Sequence, residues 1–439
     1  MMNFNERLQK VAILGAAGKM GSGILLLITR LMTSVKLEKP GYHPTVFAID
    51  VSEERLQAVM EYIKKQSLKY AQKNAEMVSA WFPGNDTEET SAKYAREVLD
   101  CIQPVTDTDA ANDAHVVFEA VNENKDLKTG IFRRIEQHNP HHPFYLTNTS
   151  SVPIHLLDEG AGLDGRIIGF HFYNPPAVQK LVEMIATQKT LPGLRDFALE
   201  LAKRLRKVVV PSNDVAGFIG NGHFMRDVLY GFSVVRSLKA QLGFPGAVLL
   251  VDIITREYLI RPMGIFQLSD YVGLDVVQFI LSVMDPHMPD EELHADELDD
   301  YLADGIKGGQ HPDGSQKDGI FSYGEGKIAG VYDPGKKEYI PLKDIEPAVR
   351  KFLGNPPEGW RPWKEVIRDP EKGAFLEQYF AEMKRMEDQG AKIALAYGMK
   401  SAEIARKLVT DGVAQNEEDV NTVMLTGFYH AYGPVNQYL

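Results

Sequence analysis

An imidazole and a carboxylate stand close together in one segment of the chain and could carry acid–base chemistry. His171 lies in an apolar run, and Glu183 follows 12 residues later (183−171), across Pro175 and Pro176. A turn at the two prolines can fold Glu183 back against the imidazole. A carboxylate on one ring nitrogen fixes the tautomer and supports the imidazolium, so that the other nitrogen serves as a general base. A histidine alone on an apolar strand is usually a core residue, and it is the nearby carboxylate that favours a catalytic role.

A glycine-rich turn near the start of the chain could hold a dinucleotide. The apolar segment 11–14 runs into Gly15, Gly18 and Gly21, with the spacing G-x-x-G-x-x-G. Glycine allows a positive φ and a close approach of the backbone to a pyrophosphate, and the N-terminus of the following helix attracts anions. The motif alone is weak, because a tight structural turn explains it as well.

The second apolar segment strengthens the dinucleotide interpretation. Residues 45–50 end at Asp50, where a carboxylate can accept hydrogen bonds from the adenosine ribose and repel a 2′-phosphate. The distance from the glycines exceeds the usual ~20 residues, and we assign the excess to a loop insertion over 33–44. The whole unit predicts NAD rather than NADP as the cofactor, although Asp50 could also be a bare acidic strand end.

Strand and helix signals alternate through the first half of the chain. This alternation predicts a doubly wound, mostly parallel α/β sheet of the Rossmann type. The predicted strands are 11–14, 45–50, 115–120, 144–148, 167–173 and 207–210, and a helical hairpin is predicted over about 53–100.

Beyond about residue 215 the strand signals fade and amphipathic helical stretches dominate, so the remainder is predicted to be all-α. The acidic, loop-rich stretch between Met284 and Ala374 is interpreted as a solvated connector, and its His287 and His294 are given no metal-binding role. A faint repeat supports two similar helical units, because glycine and valine positions recur 169 residues apart. The repeated pairs are Gly243 and Gly412, Val251 and Val420, and Gly264 and Gly433. The predicted domains are 1–213, 214–330 and 331–439.

Composition narrows the class of protein. The chain has 439 residues and a formal net charge of −12, which argues against a nucleic-acid partner. The single cysteine, Cys101, excludes an internal disulfide and fits a reducing compartment. No uninterrupted apolar span is expected to cross a membrane. No metal is expected either, and the cytoplasm is the expected location.

Several motifs occur in the order found in one enzyme family. The segment His171–Pro176, followed by Lys180–Glu183, closely resembles the signature of the L-3-hydroxyacyl-CoA dehydrogenases. Further segments resemble that family in consistent order over residues 8–325. They are Ala120-Val121-Asn122-Glu123-Asn124, Asn148-Thr149-Ser150-Ser151, Gly217-Phe218-Ile219-Gly220-Asn221, Pro262-Met263-Gly264 and Asp270-Tyr271-Val272-Gly273-Leu274-Asp275. One such match arises easily by chance, whereas the ordered set does not.

The resemblance implies a reaction and assigns residues to it. His171 would take the 3-hydroxyl proton of an L-3-hydroxyacyl-CoA while hydride passes to NAD, and Glu183 would orient the imidazole. Ser150 and Asn221 would hydrogen-bond the reacting oxygen or the thioester carbonyl. The implied contacts to the nicotinamide ribose side come from Glu123, Lys128, Asn174 and, more weakly, Lys317. In the helical hairpin, Ser67 and Lys73 stand where the family grips CoA, although a solvated helix face explains the lysine equally well.

The sequence also departs from the family pattern and leaves alternatives open. The glycine turn is one residue longer, Ala216 stands where proline is common, and Gly319–Tyr323 only approximates the family's final segment. A dehydrogenase of a free hydroxy acid and a non-catalytic CoA- or NAD-binding protein remain as alternatives. Residues 331–439 resemble a second, degenerate copy of the helical domain. Such a copy could replace a dimer partner, so a monomer or a homodimer is expected.

Overall fold

The computed structural model of the chain describes residues 2–311 and 314–439. The chain divides into two compact units, Met1–Asp214 and Val215–Leu439. The first boundary lies one residue from the predicted one. Residues 214–330 and 331–439, predicted as separate domains, belong to a single unit apart from Asp214.

The first unit is built on an eight-stranded sheet with the order β3-β2-β1-β4-β5-β6-β7-β8. All neighbouring strands are parallel except β6 and β7, which are antiparallel. The strands are β1 (Lys10–Leu14), β2 (Thr45–Ile49), β3 (Ile102–Val105), β4 (Val116–Glu119), β5 (Phe144–Thr147), β6 (Ile167–Phe172), β7 (Leu181–Ile185) and β8 (Val208–Ser212). The helices are α1 (Phe4–Arg7), α2 (Lys19–Glu38), α3 (Glu53–Lys73), α4 (Ala75–Ser79), α5 (Thr87–Asp100), α6 (Lys125–His138), α7 (Ile154–Ala161) and α8 (Pro192–Arg204), with a 3₁₀ turn at Thr108–Asp113.

The mostly parallel sheet confirms the predicted Rossmann-type fold. Its central strands are largely apolar and fully buried, as is typical of strands covered by helices on both faces of a parallel sheet. The prediction missed two strands. Residues 102–105 include Pro104 and form an edge strand, where proline costs no ladder hydrogen bond. Residues 181–185, for which the sequence analysis predicts only that a turn at the prolines returns Glu183 to His171, form β7. The loop predicted over 33–44 is also wrong in part, because α2 continues to Glu38 and buries Val35.

The second unit is mainly helical. Its helices are α9 (Phe218–Ile253), α10 (Ile265–Val272), α11 (Leu274–Met284), α12 (Asp296–Ala303), α13 (Leu342–Leu353), α14 (Trp363–Val366), α15 (Lys372–Met383), α16 (Gln389–Thr410) and α17 (Glu417–Thr426), with a π-helical turn at Ile254–Tyr258 and a 3₁₀ turn at Asp285–His287. The all-α prediction needs correction, because β9 (Phe321–Gly324), β10 (Lys327–Asp333) and β11 (Glu338–Pro341) form an antiparallel sheet. The stretch predicted as a connector likewise contains α12.

The positions of the 169-residue repeat have similar local geometry. Gly243 and Gly412 have φ values of 70° and 71°. A Cβ on Gly264 would lie 2.1 Å from the carboxylate of Asp252, and a Cβ on Gly433 would lie 2.3 Å from the amide carbon of Asn421. Asp252 and Asn421 are themselves 169 residues apart (421−252). These parallels support a duplicated helical unit, which stays a prediction.

Two helices are long and apolar enough to be candidates for a membrane span by length and composition, contrary to the expectation from sequence. They are Lys19–Glu38 and the continuous segment Phe218–Tyr258. In the 18-residue apolar stretch of each helix, 56% and 61%, respectively, is buried inside the protein. This burial is typical of core helices, because they pack their apolar faces against other elements.

Candidate active site

His171 and Glu183 face each other across two neighbouring strands. In the antiparallel pair of β6 and β7, the two residues are direct partners in the strand register. The Nδ1 atom of His171 lies 3.1 Å from Oε2 of Glu183. Glu183 is fully buried, and His171 is 8% exposed. The sequence reasoning brought these residues together through a Pro-Pro turn, and the structure does so through a strand pair.

Tyr173 is a third member of this cluster that the sequence reasoning did not assign. Its hydroxyl donates to the same Glu183 Oε2 at 2.7 Å, and its ring centroid lies 4.9 Å from that of His171. Burial and the Glu183 carboxylate hold the pKa of Tyr173 well above its ordinary value. The tyrosine therefore keeps its proton and acts as a donor. Its position two residues after His171 was the available signal, because alternate residues share a face of a strand.

The segment between the two strands is tied to its surroundings. The Lys207 ammonium donates to the backbone carbonyl oxygens of Pro176 at 2.6 Å and Gln179 at 2.5 Å. The backbone N–H of Phe172 donates to Oδ1 of Asn148 at 2.8 Å. Burial lowers the pKa of Lys207 to about 8. These bonds hold both ends of the loop that follows His171.

The glycine turn has the geometry that the sequence predicted. Gly15 has a φ of 74°, and a Cβ there would lie 2.5 Å from the carbonyl oxygen of Ala120. A Cβ on Gly21 would lie 2.0 Å from the Gly15 oxygen. Gly18 is the N-cap of α2, and no side chain caps this helix within the described residues. The first-turn N–H groups are thus oriented as in helix N-termini that bind phosphate.

Asp50 directly follows β2 beside this turn. Its Oδ2 accepts a hydrogen bond from the backbone N–H of Ala17 at 3.1 Å, and its Oδ1 lies 3.6 Å from Nη1 of Arg55. A cavity of about 210 Å³ is lined by Gly15, Gly18, Asp50 and their neighbours within the first unit. The strand end, the glycines and the cavity together fit the adenosine and pyrophosphate of a dinucleotide.

Glu123 organises the loop after β5. Its Oε1 accepts hydrogen bonds from the Ser150 N–H at 2.8 Å, the Ser151 N–H at 3.1 Å and the Thr149 hydroxyl at 2.5 Å. Burial opposes the charge of Glu123, but Lys128 and these donors outweigh it and lower the pKa of Glu123. The carboxylate therefore fixes the backbone on which the predicted substrate contact, Ser150, is placed.

Lys128 is enclosed rather than directed at a ligand. Its ammonium lies 2.6 Å from Oε1 of Glu119 and 3.1 Å from Oε2 of Glu123, and the residue is 1% exposed. Burial disfavours the charge, but the two carboxylates outweigh it and raise the pKa of Lys128. This burial does not fit the predicted direct contact between Lys128 and the cofactor. Sequence reasoning missed Glu119, whose signal was an acid ending an apolar strand.

The remaining predicted residues lie in three places. Asn174 directly follows Tyr173, and Asn221 and Lys317 belong to the second unit, in the first turn of α9 and on an exposed loop. Ser67 is fully buried in α3, and its hydroxyl oxygen has no hydrogen-bond partner among the described residues. This burial contradicts a surface contact with CoA. Lys73 ends α3 and is exposed, as such a contact requires.

His294 has companions that the sequence reasoning did not foresee. Its Nε2 lies 3.2 Å from a carboxylate oxygen of Asp296 and 3.2 Å from one of Asp299. All three residues are exposed. Exposed ion pairs of this kind contribute little to stability, so we assign the group no functional role.

Comparisons with known proteins identify the same family along both units. Residues 10–215 match the family described as 3-hydroxyacyl-CoA dehydrogenase, NAD binding domain, and residues 246–315 match 3-hydroxyacyl-CoA dehydrogenase, C-terminal domain. The first match supports NAD as the cofactor, in agreement with the glycine turn and Asp50.

Individual relatives agree with these matches. The chain is 33% identical over 257 residues to the mitochondrial hydroxyacyl-coenzyme A dehydrogenase of Mus musculus. This alignment covers 56% of this chain and 74% of the relative. The chain is 28% identical over 283 residues to a probable 3-hydroxybutyryl-CoA dehydrogenase of Bacillus subtilis, covering 64% of this chain and 88% of the relative. A crystal structure of 3-hydroxybutyryl-CoA dehydrogenase from Escherichia coli K12 shares the fold with a TM-score of 0.65 and 21% identity, over 98% of this chain and 90% of that one. Together these findings show that the chain belongs to the 3-hydroxyacyl-CoA dehydrogenase family and is an NAD-dependent oxidoreductase.

Proposed function

We propose that the protein catalyses the reversible oxidation of an L-3-hydroxyacyl-CoA to a 3-ketoacyl-CoA, with His171 as the general base. The observation that carries this proposal is the buried pair of His171 and Glu183 at 3.1 Å. A base held by a carboxylate in a nearly buried site is suited to proton transfer, which contributes typically ~10²–10⁴-fold to rate.

The proton has a defined route in this proposal. Because Nδ1 of His171 faces Glu183, Nε2 is the nitrogen that takes the proton of the 3-hydroxyl group. The carbonyl forms as hydride leaves C3, and bound NAD supplies the hydride acceptor. The Glu183 carboxylate offsets the positive charge that the imidazole gains. In the direction of reduction, His171 returns the proton from Nε2 to the same oxygen.

Other residues bind and orient the reactants. We assign Ser150 and Asn221 to hydrogen bonds with the reacting oxygen or the thioester carbonyl. Gly15, Gly18 and Asp50 would hold the adenosine and pyrophosphate. Glu123 supports this arrangement, since it fixes the backbone of Ser150.

Three further residues are proposed to contact the cofactor and the substrate. Asn174 and Lys317 would reach the nicotinamide ribose side, and Lys73 would contact CoA from the end of α3. The names of the relatives favour an acyl-CoA thioester as substrate. We also propose a role in fatty-acid or related acyl-CoA degradation, in the cytoplasm.

The reaction can be tested with two substrates that differ in the thioester. Consumption of NADH is followed by absorbance with acetoacetyl-CoA and, in parallel, with free acetoacetate. The proposal predicts turnover of the thioester and little turnover of the free acid. Preference for free acetoacetate would favour a hydroxy-acid dehydrogenase instead, and no turnover despite NADH binding would favour a non-catalytic protein.

A further inference from the structure

We infer that Tyr173 is a positioning residue that shares the Glu183 carboxylate with His171 and thereby sets how strongly that carboxylate holds the protonated imidazole. The inference rests on the proposed function, because it states that Tyr173 influences the proton affinity of the proposed general base, His171.

The strand geometry brings the three side chains together. His171 lies in β6, and Tyr173 follows the last residue of that strand, so the two side chains project toward one face. Glu183 reaches the same face from β7 as the register partner of His171. The imidazole and phenol rings are tilted by 41° at a centroid distance of 4.9 Å. Tyr173 is therefore held against the base and the carboxylate at once.

Both donors reach a single carboxylate oxygen. Oε2 of Glu183 lies 3.1 Å from Nδ1 of His171 and 2.7 Å from the Tyr173 hydroxyl. Charge-assisted hydrogen bonds are strong, and donors compete for the charge of one oxygen. The charge that the phenol draws on is no longer fully available to the imidazolium. A phenylalanine at this position would remove the competing phenol donor and leave more of that charge to the imidazolium.

Other charged groups on the strands and helices that pack against β6 have other partners or are at least partly exposed. Of the neighbouring strands, β7 contributes Glu183, and β5 contains no charged residue. Helices α7 and α8 also pack against β6. The titratable residues of α7 have other partners, and the charged residues of α8 are exposed or half-exposed. The α7 contacts are His155 with Asp214, Asp158 with the Gly165 N–H, and Glu159 with Lys189.

The test compares Tyr173→Phe with a matched control. Tyr145 is a buried tyrosine in β5 whose hydroxyl also donates to a glutamate, Glu136, at 3.2 Å. It takes no part in the site, so Tyr145→Phe removes a similar hydrogen bond without touching the base. The pKa of His171 is read by NMR titration of the ring in protein without substrate, with assignment by His171→Gln. The pH dependence of kcat/KM for hydroxyacyl-CoA oxidation gives a second reading.

The expected shift has a definite sign. Tyr173→Phe should raise the pKa of His171 and move the acid limb of the kcat/KM profile upward by about half to one pH unit, since one unit equals ~1.36 kcal/mol of differential interaction. Tyr145→Phe should leave both readings unchanged. An unaltered His171 titration in folded Tyr173→Phe protein would overturn the inference.

A double variant shows whether Tyr173 acts through Glu183. In the Glu183→Gln background the carboxylate charge is absent, so adding Tyr173→Phe should produce no further shift. A shift of equal size in both backgrounds would refute action through Glu183. Because the NMR titration needs no turnover, it tests Tyr173 even if the protein fails to oxidise the proposed substrate.

Discussion

Replacing Glu183 by Gln removes the charge beside the imidazole of His171, the proposed general base, while keeping the shape of the side chain. The carboxylate is fully buried and lies 3.1 Å from His171 Nδ1. At this distance, Coulomb's law with an effective dielectric constant of about 20 gives an upper limit of ~5 kcal/mol for the imidazolium–carboxylate attraction. Hydrogen bonds to charged groups contribute a net ~1.5–3 kcal/mol. We therefore expect kcat/KM to fall by roughly 10- to 150-fold, at ~1.4 kcal/mol for each tenfold change.

The assay follows NADH absorbance with acetoacetyl-CoA under conditions where the rate reports kcat/KM. NADH binding, measured by fluorescence titration, should stay within about twofold of the unaltered protein, because Glu183 is not assigned to the cofactor. Arg166 and Glu136 form a second, partly buried ion pair in the same unit, at 2.6 Å. Glu136→Gln is therefore a control for the loss of a paired glutamate. If Glu183→Gln retained most of its kcat/KM, the assignment of Glu183 as the partner of the base would be refuted.

Four further predictions concern the cofactor turn, two buried charges and the assembly. Gly21→Ala should weaken NADH binding by more than about tenfold, because the added Cβ would meet a carbonyl oxygen at 2.0 Å; unchanged binding in a fluorescence titration would contradict this. Lys128→Met leaves the carboxylates of Glu119 and Glu123 uncompensated and should lower the free energy of unfolding by ~3–5 kcal/mol in urea denaturation; a loss below about 1 kcal/mol would show that the pair is dispensable. Burial raises the pKa of Asp270 to about 8, above its value of ~3.9 in an unfolded chain, so its stabilising contribution is complete below about pH 4 and is lost as pH rises through about 8. Asp270→Asn should remove this part of the pH dependence of the free energy of unfolding, measured by urea titration. If the free energy of unfolding changed with pH as in the unaltered protein, the assignment to Asp270 would be wrong. Because residues 331–439 pack on α9 within one unit, we expect a monomer in sedimentation; a dimer that persists after this tail is deleted would argue against the tail as a replacement for a partner.

The tail contacts that motivate the last prediction are polar and buried. The Tyr397 hydroxyl donates to the backbone oxygen of Asp227 at 2.8 Å, and His223 Nε2 lies 3.1 Å from the backbone oxygen of Ser401. Burial lowers the pKa of His223 to about 4. The histidine is therefore neutral near pH 7, as its burial within the unit requires. We propose that residues 331–439 serve to pack on the preceding helices in this way.

Much of the catalytic cluster could be predicted from sequence because its signals are local. His171 and Glu183 stand 12 residues apart, and the glycines mark the turn before α2. Asp50 was accessible for a similar reason, since parallel strands that end in polar residues bring those residues to one edge of the sheet.

The features that were missed depend on partners distant in sequence. The enclosure of Lys128 depends on Glu119 from β4. The burial of Ser67 depends on how the helical hairpin packs, and hydrophobic periodicity does not determine the burial of a single residue. Strands β3 and β9–β11 are short or contain proline and glycine, so that pairing rather than propensity stabilises them. The hydrogen bond between Tyr173 and Glu183 likewise depends on β7, which places the carboxylate beside the phenol.

The central claim is that His171 moves the proton in a site that binds its cofactor independently. The most direct measurement is the rate of NADH consumption by His171→Gln with acetoacetyl-CoA, alongside NADH affinity of the same protein. The account predicts that kcat falls by at least ~10²-fold while NADH affinity is retained. Full activity in His171→Gln protein would contradict the account.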